Sequence, residues 1–340
     1  MNKKVLVAMS GGVDSTVAAA LLLQQGFEVA GVTMDIGFGN AGQAAAQSAG
    51  ELGIKHYILD LRQDFANYVI SDFLHQYDRG KTPNPCVICN KKLKFSAFWP
   101  LLDQLCYDFM ATGHYVQKIE QNGRYLLKKA ASEAKDQSYF LYVLSQKALA
   151  RTLFPLGAYE KREIRQIASD LKLKVAEKSD SQDICFIPQG DYKDFYRQHC
   201  LHQPRPGKML DVEGNIIGQH QGLPYYTVGQ RKGLGLALGY PCYVVALDNE
   251  HNTVIIGQEK DLYKKEAFTC NNNFLPFDTL TTPLQVQVKV RYKSPPVDAL
   301  IEPKGNLTKI CFAEKQKSIA PGQSAVFYQQ DLVIGGGCLC

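Results

Sequence analysis

The feature that most constrains the fold is the pattern of strand, turn and helix that opens the chain. Residues 5–9 form an apolar run that ends at Ser10-Gly11-Gly12, and apolar residues then recur at helical spacing over residues 15–25. Gly26 is the residue type that commonly ends a helix. Further apolar runs alternate with helical patterns as far as Gly113. This alternation predicts a doubly wound α/β fold with a parallel sheet, in which ligands bind at the carboxyl ends of the strands.

The remaining elements follow from the same periodicities. A second helical zone is predicted over residues 146–173. After Tyr192 the helical spacing of apolar residues gives way to a different pattern. From Gly207 onward, glycine, proline and asparagine separate short β-rich runs, which is typical of small β domains. We place domain boundaries near residues 195 and 260. The predicted strands are 29–34, 56–61, 109–113, 243–247, 253–256, 286–292 and 325–328, the first helices are 43–52 and 65–77, and the domains are 1–195, 196–260 and 261–340.

Composition excludes several classes of protein. The 340 residues are 45% hydrophobic and 21% charged, so the chain can bury a sizeable core and is not mainly disordered. It contains no run of 18 apolar residues, and its first residues lack a secretory pattern, which predicts a cytoplasmic protein without a membrane span. In the cytosol, 10 cysteines indicate metal or redox chemistry rather than a disulfide framework. The net charge of +5 permits a polyanionic partner.

The turn Ser10-Gly11-Gly12-Val13-Asp14-Ser15 has the features of a phosphate-binding loop. Its glycines allow a ligand close to the backbone, the amides of the helix start point outward, and the two serine hydroxyls add donors. Asp14 is a candidate ligand for the Mg²⁺ that accompanies a nucleotide. The loop has no Gly-Lys-Ser/Thr, so it is not a Walker loop.

Cysteines 86 and 89 form a CxxC pair inside a basic loop. Five basic residues and no acidic one lie between Arg79 and Lys94, a charge pattern that lowers thiol pKa values and attracts phosphate. Cys185, at the end of an apolar strand-like run, is the best third candidate. The other cysteines are interpreted as structural, or, for the last two, as part of a frayed tail that could bind metal: Cys106, Cys200, Cys242, Cys270, Cys311, Cys338 and Cys340.

These motifs together resemble one family over nearly the whole chain, the tRNA-specific 2-thiouridylases of the PP-loop ATP pyrophosphatase superfamily. The resemblance begins with residues 8–15 and includes Thr82-Pro83-Asn84-Pro85 and Cys89-Asn90-Lys91. It continues through residues 111–115, 135–139, 184–187, 220–223, 227–235, 290–292, 320–325 and 335–337.

The resemblance implies an N-terminal PP-loop domain, a small central β domain and a C-terminal β-barrel that contacts tRNA. The implied reaction is 2-thiolation of the wobble uridine in the tRNAs for Lys, Glu and Gln, by ATP-driven adenylation of the uracil C2 oxygen. ATP and Mg²⁺, a cysteine desulfurase or a sulfur relay protein as donor, and a monomer acting on one tRNA are implied. By resemblance, ATP binds Ala8, Met9, Ser10, Gly11, Gly12, Val13, Asp14, Ser15, Met34 and Gly113; the target base faces Asn84, Pro85 and Cys86; and tRNA contacts His114, Lys135, Asp136, Gln137, Arg291, Tyr292 and Gln323.

Two sulfur-transfer routes are left open. In one, Cys185 carries a persulfide and Cys89 is its paired nucleophile, with a disulfide between them as an oxidised resting form. In the other, a 4Fe–4S cluster carries the sulfur. This sequence has Cys86 where many members have Asp, so Cys86, Cys89 and Cys185 supply three thiolates and leave one iron open. We therefore favour a cluster at this stage.

The segment from Asp35 to Gly53 departs from the family by being shorter and less acidic, which bears on the base side of the ATP pocket. Two alternative functions are kept. One is another PP-loop enzyme that adenylates a small molecule, which leaves the CxxC in its basic loop unexplained. The other is a non-catalytic iron–sulfur or zinc protein that binds nucleic acid, which leaves residues 10–15 unexplained.

Overall fold

The computed structural model describes residues 3–178, 184–187, 191–200 and 202–340. Its first part is an α/β domain built on a parallel sheet, with strand order β3-β2-β1-β4-β7. The strands in this part of the chain are β1 (Lys4–Ala8), β2 (Glu28–Asp35), β3 (Lys55–Asp60), β4 (Phe109–Thr112), β5 (Gln117–Gln121), β6 (Arg124–Lys128) and β7 (Thr152–Leu153). The helices are α1 (Val13–Gln24), α2 (Ala41–Glu51), α3 (Arg62–Phe65), α4 (Ser71–Asp78), α5 (Pro85–Cys89), α6 (Phe95–Gln104), α7 (Gln146–Ala150), α8 (Lys161–Asp170) and α9 (Tyr192–His199).

The central strand explains why this sheet forms. Val5, Leu6 and Val7 in β1 are fully buried, because the parallel strand is covered on both faces and reads as a continuous apolar run. Helix α1 is also apolar nearly all round, and Val17 and Ala18 within it are fully buried. The predicted doubly wound sheet is confirmed. β1 lies between β2 and β4, so the loops after these three strands meet at one edge of the sheet.

Two sheets follow in the second half of the chain. A four-stranded sheet with order β10-β11-β8-β9 lies first, and six further strands form a sheet that the pairing of β12 with β17 closes into a barrel. Val288, Ile301 and Phe327 fill the barrel and are fully buried. The strands are β8 (Gly207–Leu210), β9 (Ile216–His220), β10 (Tyr243–Asp248), β11 (Thr253–Gly257), β12 (Tyr263–Phe274), β13 (Leu284–Lys289), β14 (Val297–Lys304), β15 (Leu307–Lys317), β16 (Ser324–Gln329) and β17 (Leu332–Leu339).

Several local predictions were wrong. The helical zone over residues 146–173 is interrupted by β7, because Thr152 pairs with Met110 at the edge of the parallel sheet. The segment Ile184–Ile187 is a turn rather than a strand-like run, closed by a bond from the Ile187 amide to the Ile184 carbonyl at 2.8 Å. Cys338 lies within β17 and not in a frayed tail, since its Cα pairs with that of Cys270.

The sequence analysis also missed the hairpin of β5 and β6. This hairpin follows the parallel sheet in the chain but pairs with β17, where Val333 is the partner of Leu127. It therefore attaches the first domain to the barrel through a shared sheet. In the described part of the chain, no helix combines the length and the apolar character that crossing a membrane requires.

Candidate active site

The loop between β1 and α1 has the backbone of an anion site. Gly11 has φ +68°, and a Cβ there would lie 2.4 Å from the Cβ of Ala44, so a side chain is excluded. Gly12 is the N-cap of α1 and has no side chain with which to cap the first amides of the helix. Those amides and the positive end of the helix dipole favour a bound anion. Within the loop, the Ser10 amide donates to Ser15 Oγ at 3.1 Å.

The loop after β4 packs directly onto the start of α1. A Cβ on Gly113 would lie 2.8 Å from the backbone nitrogen of Ser15, so a residue with a side chain would push the two segments apart. Met34, the last residue but one of β2, lies next to this edge and is half-buried. The structure thus brings the loop, the end of β2 and Gly113 to one edge of the sheet, as the sequence predicted for a nucleotide site.

Asp14 is held by two donors that the sequence analysis did not assign. Tyr115 Oη and Lys161 Nζ each donate to Asp14 Oδ1 at 2.7 Å. Lys178 Nζ donates to the Gly11 carbonyl at 2.9 Å, so two lysines converge on the loop from distant parts of the chain. A carboxylate beside ammonium groups suits a nucleotide triphosphate with Mg²⁺, since Mg²⁺ prefers oxygen ligands and the cations face phosphate.

Each of the three candidate cysteines lies near enough to Lys94 for its charge to act on the thiol. Burial raises the pKa of Cys86 and of Cys89, and it raises the pKa of Cys185 to about 12, with the neighbouring thiols adding to the effect on Cys185. The positive charge of Lys94 opposes this rise at all three thiols without reversing it, so the lowered thiol pKa values predicted from the basic loop are wrong. Cys86 and Cys185 nevertheless remain exposed to solvent. The three thiols and Lys94 are together termed the thiol crevice. Crowded thiols beside one cation form a site for sulfur chemistry.

His114 connects this crevice to the phosphate loop. It follows Gly113 directly, and its Nδ1 lies 2.8 Å from Thr112 Oγ1 at the end of β4. Burial, and secondarily the charge of Lys94, lower the pKa of His114 well below its ordinary value, so the imidazole is neutral at pH 7. The charge of Lys94 acts on His114, and Gly113 packs against the backbone of Ser15. The phosphate loop and the thiols therefore lie at the same end of the first domain.

The described residues do not show a metal centre at the thiol site. Among the described residues, no group of three or more His, Cys, Asp or Glu side chains is placed so that it could hold a metal ion. The 4Fe–4S cluster on Cys86, Cys89 and Cys185 therefore stays a prediction.

The segment predicted to face the target base is braced by the barrel. Asn84 is the N-cap of α5, and its Oδ1 accepts from the Val87 amide at 3.4 Å, with Pro85 at the first helical position. Gln323 Nε2 donates to the carbonyls of Thr82 and Pro83 at 3.1 and 3.0 Å. The amide of Gln323, predicted to contact tRNA, is thus engaged in holding the segment that leads to Cys86.

The other residues predicted to contact tRNA divide into two groups. Lys135 and Gln137 are partly exposed, whereas Asp136 is buried and accepts from the Ala130 and Ser138 amides at 3.1 and 3.3 Å and from Ser138 Oγ at 2.7 Å. The carboxylate of Asp136 therefore holds its own loop together, and its contact with tRNA stays a prediction. Gln137 Oε1 accepts from the Tyr115 amide at 3.0 Å.

Arg291 and Tyr292 lie on the barrel beside this loop. Arg291 is exposed, donates to the Ser318 carbonyl, and has a pKa lowered by partial burial. The half-buried ring of Tyr292 lies 4.5 Å from that of Phe140, centroid to centroid. An exposed guanidinium next to an aromatic ring is the combination that binds a nucleic-acid backbone and stacks on bases.

Sequence reasoning missed Lys161, Lys178 and the individual role of Lys94. Lys94 belongs to the basic cluster, so the sequence indicated its positive charge but not its place near the three thiols. Lys161 gave none, because it is 147 residues from Asp14 in the chain and only the packing of α8 on α1 brings the two together.

The fold and this edge define a nucleotide-binding α/β protein with two β domains. Family models agree, matching a "tRNA methyl transferase HUP domain" at residues 3–189, a "tRNA methyl transferase PRC-barrel domain" at 193–258 and an "Aminomethyltransferase beta-barrel domain" at 263–339.

Curated relatives show which family of nucleotide-binding proteins the chain belongs to. The tRNA-specific 2-thiouridylase MnmA of Clostridioides difficile (strain 630) is 45% identical over 355 residues, covering 100% of this chain and 98% of the relative. That of Halothermothrix orenii is 44% identical over 353 residues, covering 99% and 98%. Among solved structures, a 4-thiouridine synthetase in complex with RNA and bound ATP shares 16% identity over 58% of this chain and 50% of that chain, with a TM-score of 0.39, which is too distant to bear on the assignment. The chain belongs to the tRNA-specific 2-thiouridylase family.

Proposed function

We propose that this protein catalyses ATP-dependent 2-thiolation of the wobble uridine in the tRNAs for Lys, Glu and Gln. The observation that carries the proposal is the placement of two reactive sites at one end of the first domain, namely the phosphate loop and the thiol crevice, joined through Gly113 and His114. The names of its full-length relatives support the substrate class.

The first half of the proposed reaction uses the phosphate loop. The uracil C2 oxygen is a poor leaving group, so it attacks the α-phosphorus of ATP, pyrophosphate leaves, and the base becomes a C2-O-adenylate. The loop amides and Lys178 would bind the phosphates, and Asp14 would hold the Mg²⁺. The uridine must leave the stacked anticodon loop to reach this site, with the Asn84–Cys86 segment facing the base.

The second half uses two of the thiols. The outer sulfur of a persulfide on Cys185 attacks C2, and AMP leaves. The thiolate of Cys89 then attacks the Cys185 sulfur, which releases 2-thiouridine and leaves a Cys89–Cys185 disulfide. An external thiol reductant returns both cysteines to their starting state. This route needs no cluster, and the electrons lost by the two thiols reduce the transferred sulfur.

The remaining components of the proposal follow from this chemistry. A cysteine desulfurase or a sulfur relay protein would load Cys185, and one chain would act on one tRNA in the cytoplasm. The basic loop, Arg291 and Tyr292 would contact the tRNA, so binding weakens steeply with salt because phosphate contacts release counterions.

The test is mass spectrometry of nucleosides from unmodified tRNA incubated anaerobically with the protein, Mg-ATP and a sulfur source. We expect 2-thiouridine only when ATP is present. Cys185→Ser should abolish it while tRNA binding survives, and Cys106→Ser, which changes an exposed cysteine outside the crevice, should leave it unchanged. Thiolation by Cys185→Ser at the wild-type rate would contradict the persulfide route, and stoichiometric iron and labile sulfide would favour the cluster. Cleavage of ATP to AMP and pyrophosphate without thiouridine would redirect the search to a small-molecule acceptor.

A further inference from the structure

A second group of cysteines lies across the seam that closes the barrel. The Cα of Cys270 in β12 pairs with that of Cys338 in β17, and the Cys340 amide donates to the Phe268 carbonyl at 3.0 Å, which continues the same ladder. Side chains alternate along a strand, and directly opposed residues share a face of the sheet. Cys270, Cys338 and Cys340 therefore point to the same side.

Two of the three thiols converge on one backbone carbonyl. Cys270 Sγ donates to the Cys338 carbonyl at 3.6 Å, and Cys340 Sγ donates to the same carbonyl at 3.7 Å. The thiol of Cys270 also acts on the pKa values of both Cys338 and Cys340. Cys340 is exposed, while Cys270 and Cys338 are half-buried. A dissolved oxidant therefore reaches Cys340 first. Cys270, whose thiol donates to the same carbonyl, is then in position to react with the oxidised Cys340.

The seam adjoins the segment that is braced for the target base. The Leu339 amide donates to the Gln323 carbonyl, and the Gly322 amide donates to the Leu339 carbonyl, both at 2.8 Å. Gln323 holds the carbonyls of Thr82 and Pro83. The residue between Cys338 and Cys340 is thus bonded directly to the loop that braces the active-site segment.

We propose that Cys270 and Cys340 are a disulfide modification site that fastens the barrel seam. One thiolate attacks a low-molecular-weight disulfide such as oxidised glutathione, which forms a mixed disulfide and releases one reduced glutathione. The second thiol then displaces the other glutathione. Two cysteine thiols are oxidised, one glutathione disulfide is reduced to two thiols, and two protons are conserved in the exchange. The bond would link β12 to the chain just beyond β17.

The surroundings set the rate and the stability of this bond. Burial raises the pKa of Cys338 to about 11 and that of Cys340 to about 12, and the neighbouring thiols raise them further, while Lys81 opposes the shift and Asp72 adds to it at Cys338. Cys338 and Cys340 are therefore mostly protonated at pH 7, and attack by the Cys340 thiolate is slow. Because the protein does not stabilise the thiolate, the disulfide once formed resists reduction.

The experiment is oxidation of the full-length protein by oxidised glutathione, followed by alkylation of free thiols and peptide mapping by mass spectrometry. We expect a peptide that joins Cys270 to Cys340, formed about tenfold faster for each pH unit between 7 and 9, as the thiolate fraction rises. Recovery of Cys340 as its glutathione adduct with Cys270 still free would overturn the proposal.

Two variants separate this site from the catalytic thiols. Cys340→Ser should lose the cross-linked peptide while keeping 2-thiolation, and the oxidised wild-type protein should melt several degrees above the oxidised variant. Cys311→Ser is the matched control, since Cys311 is also a half-buried barrel thiol but donates to Glu302 Oε2 at 3.7 Å. It should retain both the cross-link and the higher melting temperature. A cross-link without any gain in melting temperature would refute the fastening of the seam.

Discussion

The two adjacent glycines of the phosphate loop offer a test that separates folding from ligand binding. Gly11 is closed to a side chain by its neighbours, whereas Gly12 has φ −104° and a Cβ there would meet only Ser10 Oγ, at 3.5 Å. Substitution of each by alanine adds the same methyl group. We expect Gly11→Ala to damage the fold and Gly12→Ala to damage only the binding of the nucleotide.

The magnitudes follow from the contacts. At Gly11, the left-handed backbone costs an alanine about 1–2 kcal/mol, and the overlap with Ala44 adds about 1–3 kcal/mol, so unfolding becomes easier by about 2–5 kcal/mol. At Gly12, alanine fits the backbone and limits the unfolded chain, which stabilises by about 0.4–1 kcal/mol. The new methyl would hold a phosphate away from the loop amides. Loss of one charge-assisted hydrogen bond, about 1.5–3 kcal/mol, raises the KM for ATP by roughly ten- to a hundredfold.

The assays are urea unfolding monitored by circular dichroism and pyrophosphate release in the presence of tRNA. Gly12→Ala should unfold at the wild-type urea midpoint or above it and show the raised KM for ATP, while Gly11→Ala should unfold at a lower midpoint. If Gly12→Ala keeps the wild-type KM, no phosphate approaches the loop at this position, and the assignment of the ATP site is refuted. If both variants are equally unstable, the contacts attributed to Gly11 do not distinguish the two positions.

Three further outcomes are expected. Lys94→Met should move the pH dependence of thiolation upward by about one unit, because the charge that lowers the pKa of Cys89 is lost, so that the thiolate appears only at higher pH; an unchanged pH profile would remove Lys94 from the site. Gln323→Ala should lower kcat about tenfold with little change in tRNA affinity, since it frees two carbonyls of the braced segment. Gln329→Ala, which removes a similar bond to the Gln285 carbonyl at 3.0 Å at the opposite end of β16, should change neither. A selective loss of tRNA affinity in Gln323→Ala would indicate a direct contact instead. Asp14→Asn should lower pyrophosphate release about tenfold or more and weaken its dependence on Mg²⁺.

The parallel sheet could be predicted from the sequence because its signals are local. The apolar run of β1 and the glycines before α1 follow one another within 20 residues, and burial on both faces of the sheet makes the strands continuous apolar runs. The phosphate loop was recognisable for the same reason, since a strand, a turn and a helix start that are consecutive in sequence also form the site. The CxxC pair behaves similarly, because α5 places both thiols within one short helix.

What the sequence could not reveal are pairings between distant segments. β7 has only two residues and belongs to the sheet because it pairs with the edge of β4. Two residues are too few to show the alternation of apolar and polar side chains that predicts a strand. The hairpin of β5 and β6 alternates weakly, and only β17 determines where it pairs. Asp136 reads as an exposed acidic residue in a polar stretch, yet Ala130 and Ser138 surround its carboxylate. Burial of a charged side chain depends on partners that fold around it.

These distant pairings imply that the barrel is part of the active site and not an appended tRNA-binding module. The Thr82 amide donates to the Pro321 carbonyl at 2.8 Å, Gln323 bonds the next two carbonyls of the chain, and Gly322 approaches so closely that a Cβ would lie 2.8 Å from Thr82 O. Such a three-point attachment fixes the start of α5, and with it the position of Cys86 and Cys89 relative to the phosphate loop. The barrel and the thiols are therefore mechanically coupled, because any displacement of residues 321–323 would also move Cys86 and Cys89 relative to the phosphate loop.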